Sequence, residues 1–303
     1  MSDGSSVLYH VRHVTEVNYD ALVNLARFNL RLKPVEWPGQ ELLDHRLEVM
    51  PMPKTITNET GPFVVNLARL TLDKPTASLV VTSEFRVRVD RPVTDVGMAA
   101  PSLDEVRRQA RLTHGLTPRD PASYLFGSPI AAMAPEIAEW ASPHFSDGNS
   151  VVTCATGLML AINGQFAYDS KATRADTPPV QAFRKRHGVC QDFAHVMIIA
   201  LRHYGIPAAY VSGYLRTIPP PGRARLVGAD ATHAWVNVWC GNEHGWIGFD
   251  PTNAMLVGND HIFTAMGRDF ADVSPLDGVF IGGSGQRMKV SVEVTPLEGA
   301  ASF

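Results

Sequence analysis

The stretch that most restricts what this 303-residue chain can fold into runs from Val189 to Tyr204. Phe193, Ala194, Val196, Met197, Ile198, Ile199, Ala200 and Leu201 leave it no polar stripe, so as a helix it is apolar nearly all round and must be enclosed by protein. Gly205 supplies the stop and Pro207 forbids continuation, which predicts a strand beyond. Cys190 falls in the first turn of this helix, where unpaired backbone N–H groups and the positive end of the helix dipole favour a thiolate and can hold an oxyanion. Gly188 just before it carries no side chain to block a carbonyl approaching the sulfur. A cysteine at random is core filler, so this position alone does not make Cys190 a nucleophile.

The rest of the chain divides around that helix. Residues 7–92 read as an N-terminal β domain of five runs, "VLYHVRHVTEVNY", "LARFNLRLKP", "LDHRLEVMP", "FVVNLARLTL" and "SLVVTSEFRVRVDRP", separated by turn signals such as Trp37-Pro38-Gly39. Phe85, Val87 and Val89 alternate with Glu84, Arg86, Arg88 and Asp90, the pattern of a half-buried antiparallel sheet, here a sandwich or barrel. Residues 1–6 are expected to be disordered. From residue 93 to 303 the pattern changes to helices followed by strands, an α+β unit. It starts with "SLDEVRRQARL", in which Ser102 precedes Glu105 as in a capping box, and ends in the alternating "RMKVSVEVTPL". That tail can close the second sheet or return to the first; it is assigned here to the 93–303 unit.

The bulk numbers bound the function. A formal net charge of −3 with scattered basic residues points away from nucleic acid and from anionic membranes. Neither a spanning apolar segment nor a signal-peptide pattern is present in the sequence, and Cys154, Cys190 and Cys240 are few, odd in number and far apart. The expectation is a cytoplasmic protein with free thiols.

A cysteine nucleophile needs a base, and the base needs an orienting group. "DATHAWVNVW" sets His233 at the start of an alternating strand, and "GWIGFDPTNA" sets Asp250 at the end of the next, before Pro251. Joined by "CGNEH" as a hairpin, the two residues are expected opposite one another, with the Asp250 carboxylate on one imidazole nitrogen and the other nitrogen facing sulfur.

These segments, "GVCQDFAHVMIIALRHYGIPAAYVSGYL", "HAWVNVWCGNEHGWIGFDPTN" and "GRDFADVSPLDGVFIGG", resemble the bacterial branch of the transglutaminase-like superfamily, cysteine enzymes of papain-like fold. The likeness is dense over residues 150–296, and 7–90 is more loosely similar to the β domain that accompanies this branch, with Thr60-Gly61-Pro62 where relatives carry an aromatic-Gly-Asn turn. The resemblance implies Cys190 as nucleophile, His233 as base and then acid, Asp250 as orienter of His233, and no cofactor.

Around these three, Tyr168 is a candidate second oxyanion donor by position and Gln165 its competitor. Gln191, Asp192 and His195 share the helix with Cys190. Asp192 is suited to capping it, and His195, about 140° round, to a supporting hydrogen bond rather than to base catalysis. Trp235 and Trp239 share the face of His233 and either wall a cleft or fill the core. His187, Cys190, His195 and His203 lack zinc-site spacing, and the sequence holds no D-x-D-x-D-G calcium loop. The expected reaction is cysteine-dependent hydrolysis of a peptide or protein amide. The alternatives are acyl transfer to an amine, as in a transglutaminase, and a binding or assembly module that has kept the fold without the chemistry.

Overall fold

The computed structural model describes residues 6–92, 94, 100–113, 115, 117–146, 148–217, 231–282 and 285–297. The disorder expected for 1–6 falls, apart from Ser6, outside the described residues.

The N-terminal sheet is built on one very long strand, β1 (Val7–Leu30), joined by β2 (Gln40–Met50), β3 (Thr55–Thr60), β4 (Asn66–Leu72) and β5 (Thr76–Val89) in the order β2-β5-β1-β4-β3. All the pairings are antiparallel. The alternation read in the last run is real: Phe85, Val87 and Val89 are buried while Arg86 is exposed and Arg88 half-buried. β1 changes partners along its length, pairing with β5 through its first half and with β4 at Ala26–Leu30, so the sheet curls into a half-barrel.

The α+β unit begins with α1 (Leu103–Leu112), α2 (Pro135–Ala141), α3 (Val151–Gln165) and, after the two-residue strand β6 (Ala167–Tyr168), α4 (Pro179–Lys185). Ser102 caps α1 as expected, its Oγ accepting the Glu105 N–H at 3.3 Å. A second two-residue strand, β7 (His187–Gly188), pairs parallel with β6 and leads into α5 (Cys190–His203), the apolar helix. There follow β8 (Ala208–Leu215), β9 (Ala231–Trp239), β10 (Trp246–Asp250), β11 (Met255–Leu256) and β12 (His261–Gly267), sheet order β11-β10-β9-β8-β12. α5 lies between this sheet and α2, α3 and α4, and its residues 193–201 are all buried. One charge is buried with them. The Arg202 guanidinium is satisfied by the carbonyls of Ala208, Phe126 and Arg268 at 2.6–3.0 Å, which is how an arginine fits in a core.

After the short α6 (Phe270–Val273) come β13 (Leu276–Gly282) and β14 (Gln286–Pro296), and here the assignment of the tail to the 93–303 unit is corrected. Both strands pair with β1, β13 along Val23–Leu30 and β14 along Tyr9–Tyr19, so the last strands of the chain run antiparallel beside its first. The physical reason lies in β1, whose other edge is already filled by β5 and β4 and whose free edge offers an unpaired ladder more than twenty residues long. The two units share an apolar contact in which Tyr9, Val11, Phe85, Val292 and Val294 meet Tyr214 and Ile262. Trp37 stacks on Phe263 at 4.4 Å in a second such contact.

Candidate active site

Cys190 is the first residue of α5, preceded by Val189 with extended backbone. The first intrahelical bonds run from the Asp192 and Phe193 N–H groups to the Val189 carbonyl, so the N–H groups of Cys190 and Gln191 stand ahead of the helical ladder. Asp192 does cap this end: its Oδ2 accepts the Val189 N–H at 2.9 Å and the Thr173 hydroxyl at 2.6 Å. Burial acts to raise its pKa and leaves it above the ordinary carboxylate value despite these donors. The space at Gly188 is taken by that carboxylate, since a Cβ there would stand 2.6 Å from Asp192 Oδ2. The bare glycine thus admits the cap rather than a substrate carbonyl.

His233 lies on β9 and Asp250 closes β10, and His233 Nε2 is 2.7 Å from Asp250 Oδ2. The expected cross-strand pairing differs by two residues. Trp239 pairs with Trp246 and Val236 with Phe249, which puts Asp250 opposite Trp235 and diagonal to His233. Diagonal side chains on one face still reach each other. The strand ends four residues past Trp246, whereas His233 lies six before Trp239. With Nε2 held by Asp250, Nδ1 is the nitrogen left for the sulfur, and His233 and Cys190 line the same cavity. Burial lowers the imidazole pKa, but the hydrogen bonds and charges of Asp250 and Cys190 outweigh it and push the value up to about 10. Burial alone would raise the Asp250 carboxyl; the hydrogen bonds from His233 and His261 instead hold it well below the usual carboxylate range.

His261 is a member of this group that sequence reasoning missed. It starts β12, is fully buried, and its Nε2 lies 3.1 Å from the same Asp250 Oδ2. Its Nδ1 accepts the Gly258 N–H at 3.4 Å, which sets the neutral tautomer with the proton on Nε2, and burial lowers its pKa. Asn253 Nδ2 adds a third donor to Oδ2 at 2.7 Å, and the N–H groups of Thr252 and Asn253 fill Oδ1 at 2.9 and 3.2 Å. Asn253 stands in the Asp-Pro-Thr-Asn run, an Asx-turn signal that the sequence does display. Nothing in the sequence announces His261, which reaches Asp250 through an irregular loop. Arg91, from the N-terminal unit, clamps this loop by donating to the carbonyls of Gly258 and His261.

His233, Asp250 and His261 also form a group of metal-ligand type, their ligand atoms within 4.8 Å of one another. The edge of a tetrahedral zinc site is roughly 3.3 Å for bonds near 2.0 Å. The 2.7 and 3.1 Å separations here are those of hydrogen bonds, and Oδ2 is further occupied by Asn253.

A cavity of about 370 Å³ opens at Cys190 and His233, with Tyr168 and Gln191 in its wall. Tyr168 is thus brought to the sulfur; burial, and then the charge of Cys190, raise its pKa. Gln165 is not brought there, because its Oε1 accepts the Trp140 Nε1–H at 2.9 Å on the far end of α3. The Gln191 side chain donates to the Ala175 carbonyl at 3.0 Å. His195 is buried under Tyr210, its ring 4.9 Å away, and accepts the Phe270 N–H at 3.2 Å; burial pushes its pKa down to about 3. Trp235 is core, fully buried against His261 and Phe263, and Trp239 is buried with it in the α+β unit. The other wall of the cavity comes from the N-terminal sheet and its added strands, through His13, Thr15, Leu276, Met288 and Val290.

The fold and this group define a papain-like core, a cysteine at a helix start facing a histidine–carboxylate pair on an antiparallel sheet. Residues 139–251 match the model of the transglutaminase-like superfamily, and residues 9–88 that of the bacterial transglutaminase-like N-terminal region. An uncharacterised protein of Mycobacterium tuberculosis is 35% identical over 303 residues, covering 97% of this chain and 94% of its own. The chain belongs to the transglutaminase-like superfamily, whose members are typically enzymes. A protein-glutamine gamma-glutamyltransferase of Pseudomonas aeruginosa is 42% identical over 90 residues, 29% of this chain and 13% of that protein. A crystal structure from Cytophaga hutchinsonii, described as a candidate cysteine protease, superposes with a TM-score of 0.78 at 22% identity, covering 98% of this chain and 93% of that one; this likeness is one of fold. No helix among the described residues is long and apolar enough to cross a membrane.

Proposed function

We propose that the protein is a cysteine-dependent amide-bond hydrolase that works through Cys190, His233 and Asp250. The observation that carries this reading is the position of His233, which shares a cavity with Cys190 and lies 2.7 Å from a carboxylate that is fully buried. In the reaction the Cys190 sulfur, its proton on His233 Nδ1, attacks the amide carbonyl and forms the C–S bond. The Cys190 N–H and the Tyr168 hydroxyl are the donors for the oxyanion. His233 gives its proton to the amine as the C–N bond breaks, leaving an acyl thioester. Water then attacks, its proton passing to His233, and the C–S bond breaks to release the acid. Asp250 holds the imidazole in the tautomer that keeps Nδ1 toward sulfur. The three free cysteines fit a reducing compartment.

A second reading, transfer of the acyl group to an amine, is favoured by one observation, the 42% local identity to a gamma-glutamyltransferase. One experiment tests both. Dimethylcasein is incubated with the protein or with Cys190→Ala, with and without the fluorescent amine monodansylcadaverine. New N-termini or released ammonia, absent with Cys190→Ala, support hydrolysis; Cys190-dependent fluorescence in the casein supports transfer. Equal products from both proteins would end the cysteine mechanism.

A further inference from the structure

Among the described residues β14 is an edge strand, and its stretch at Met288 and Val290 runs into the cavity that holds Cys190. Its partner on one side is β1; among the described residues no strand pairs with it on the other. The phase of the ladder is fixed at both ends, by the Leu297 N–H donating to the Leu8 carbonyl at 2.8 Å and the Asp20 N–H donating to the Gly285 carbonyl at 3.0 Å. In an antiparallel pair the residues that exchange hydrogen bonds alternate with residues whose N–H and C=O point the other way. Counting from both ends, Arg287 and Lys289 bond to β1, opposite Asn18 and Glu16, and Met288 and Val290 turn their backbone groups outward.

The side chains follow the same logic. Met288 and Val290 share a face with Val292 and Val294, which are buried against Tyr214 and Ile262. Val290 and Met288 stand one and two steps beyond that contact, 42% and 60% exposed, and line the cavity together with Cys190 and His233. An apolar, outward-bonding edge is ordinarily a liability that a fold covers or charges. Here it is left open where the reacting sulfur is.

We propose that this edge binds the substrate's own backbone: an extended peptide segment adds to β14 as a further strand, pairing with Met288 and Val290, and so lays its reacting amide beside Cys190. The inference rests on the cysteine-nucleophile reading and deepens it by naming an extended polypeptide, rather than a small amide, as the substrate class. The edge lies within the cavity of the nucleophile, so the chain that reaches one reaches the other, which argues for substrate over a second copy of this protein. Backbone pairing would supply affinity, and the apolar wall of Met288 and Val290 a preference for uncharged side chains on that face.

The test compares two alkylating agents at Cys190. Iodoacetamide has no peptide backbone. Acetyl-Ala-Val-Ala chloromethyl ketone presents three residues, and its CH₂ carbon forms the bond to sulfur as chloride leaves. The quantity read is the ratio of their second-order rate constants. Val290→Pro deletes one outward N–H and none that bonds β1, a substitution edge strands tolerate; a melting curve checks that it folds. The ratio is expected to fall roughly three- to tenfold in Val290→Pro, the scale of one lost hydrogen bond. N-methylating the probe's amides one at a time is expected to lower the ratio on the unaltered protein for at least one of them, which needs no variant to fold. A ratio unchanged by Val290→Pro and by every N-methylation overturns the edge proposal while leaving the nucleophile intact. A Cys190 inert to iodoacetamide overturns the nucleophile reading and this one with it.

Discussion

Asp250 and His261 meet on one oxygen: His261 Nε2 lies 3.1 Å from Asp250 Oδ2, the same atom that holds His233 Nε2 at 2.7 Å. Because His261 takes the Gly258 N–H on its other nitrogen, it can only donate to the carboxylate. The carboxylate therefore has fixed donors on several sides and cannot turn away from His233.

His261→Phe keeps the volume and deletes that donor. The expected result is a fall of roughly three- to tenfold in the rate of Cys190 alkylation at pH 7, the scale of one hydrogen bond, with the carboxylate still held by Asn253 and Thr252. The check is a time course of iodoacetamide labelling resolved by mass spectrometry. An unchanged rate in a folded variant would make His261 a packing residue.

Asp250→Asn removes the charge that opposes the burial of His233. In the unaltered protein the imidazole, pushed up to about 10, stays protonated from pH 5 to 8; with the charge gone, burial acts to lower it. The variant is expected to lose that proton within the same range. Imidazole NMR signals followed over pH distinguish the two, and titration of His233 near 6.5 in the unaltered protein would count against the pair.

His13 gives a stability prediction. It is fully buried where the sheet of β1 meets β8, bonded to Tyr214 and Thr15 at 3.0 and 2.8 Å, and burial pushes its pKa down to about 4. Unfolded, it titrates near the ordinary 6.5, so between these values the unfolded chain binds the extra proton. Stability is therefore expected to be lost as pH falls from about 6.5 to 4, by about 3 kcal/mol from this group. His195, pushed down to about 3, adds to it with the same sign. Melting curves of His13→Gln should show a shallower pH dependence than the unaltered protein, and an identical dependence would contradict the assignment.

Gly213 pairs with His233 across β8 and β9, and a Cβ on it would stand 2.4 Å from the Trp235 ring and 2.2 Å from the Ile262 carbonyl. Trp235 packs under His233 and His261, so Gly213→Ala is expected to cost about 1–3 kcal/mol by overpacking and to slow Cys190 alkylation as well. Chemical denaturation and the labelling assay read the two effects. A fully stable variant would show that the sheet can open here.

How much of this the sequence displays depends on the range of the interaction. The all-apolar run to Leu201, Ser102 before Glu105, and Phe85, Val87 and Val89 against arginines are local patterns, and each forms the element that its period predicts. Cys190, His233 and Asp250 are legible because a helix start, a strand start and a strand end mark them. The diagonal offset of Asp250 is not, since hairpin register depends on where pairing begins at Trp239 and Trp246. The return of β14 to β1, 287 residues apart at Tyr9 and Pro296 in a chain of 303, is invisible because any free edge could have taken an alternating strand. His261 and Arg91 act through loops, where no period exists to read.

The most direct measurement of the central claim is iodoacetamide labelling of all three cysteines at pH 7, in the unaltered protein and in His233→Ala. Cys154 and Cys240 are buried and their thiols pushed up by burial, while Cys190 opens on the cavity. The account predicts that Cys190 is labelled at least about tenfold faster than the other two and that His233→Ala removes most of that advantage. Three similar rates, or a fast Cys190 indifferent to His233, would contradict it.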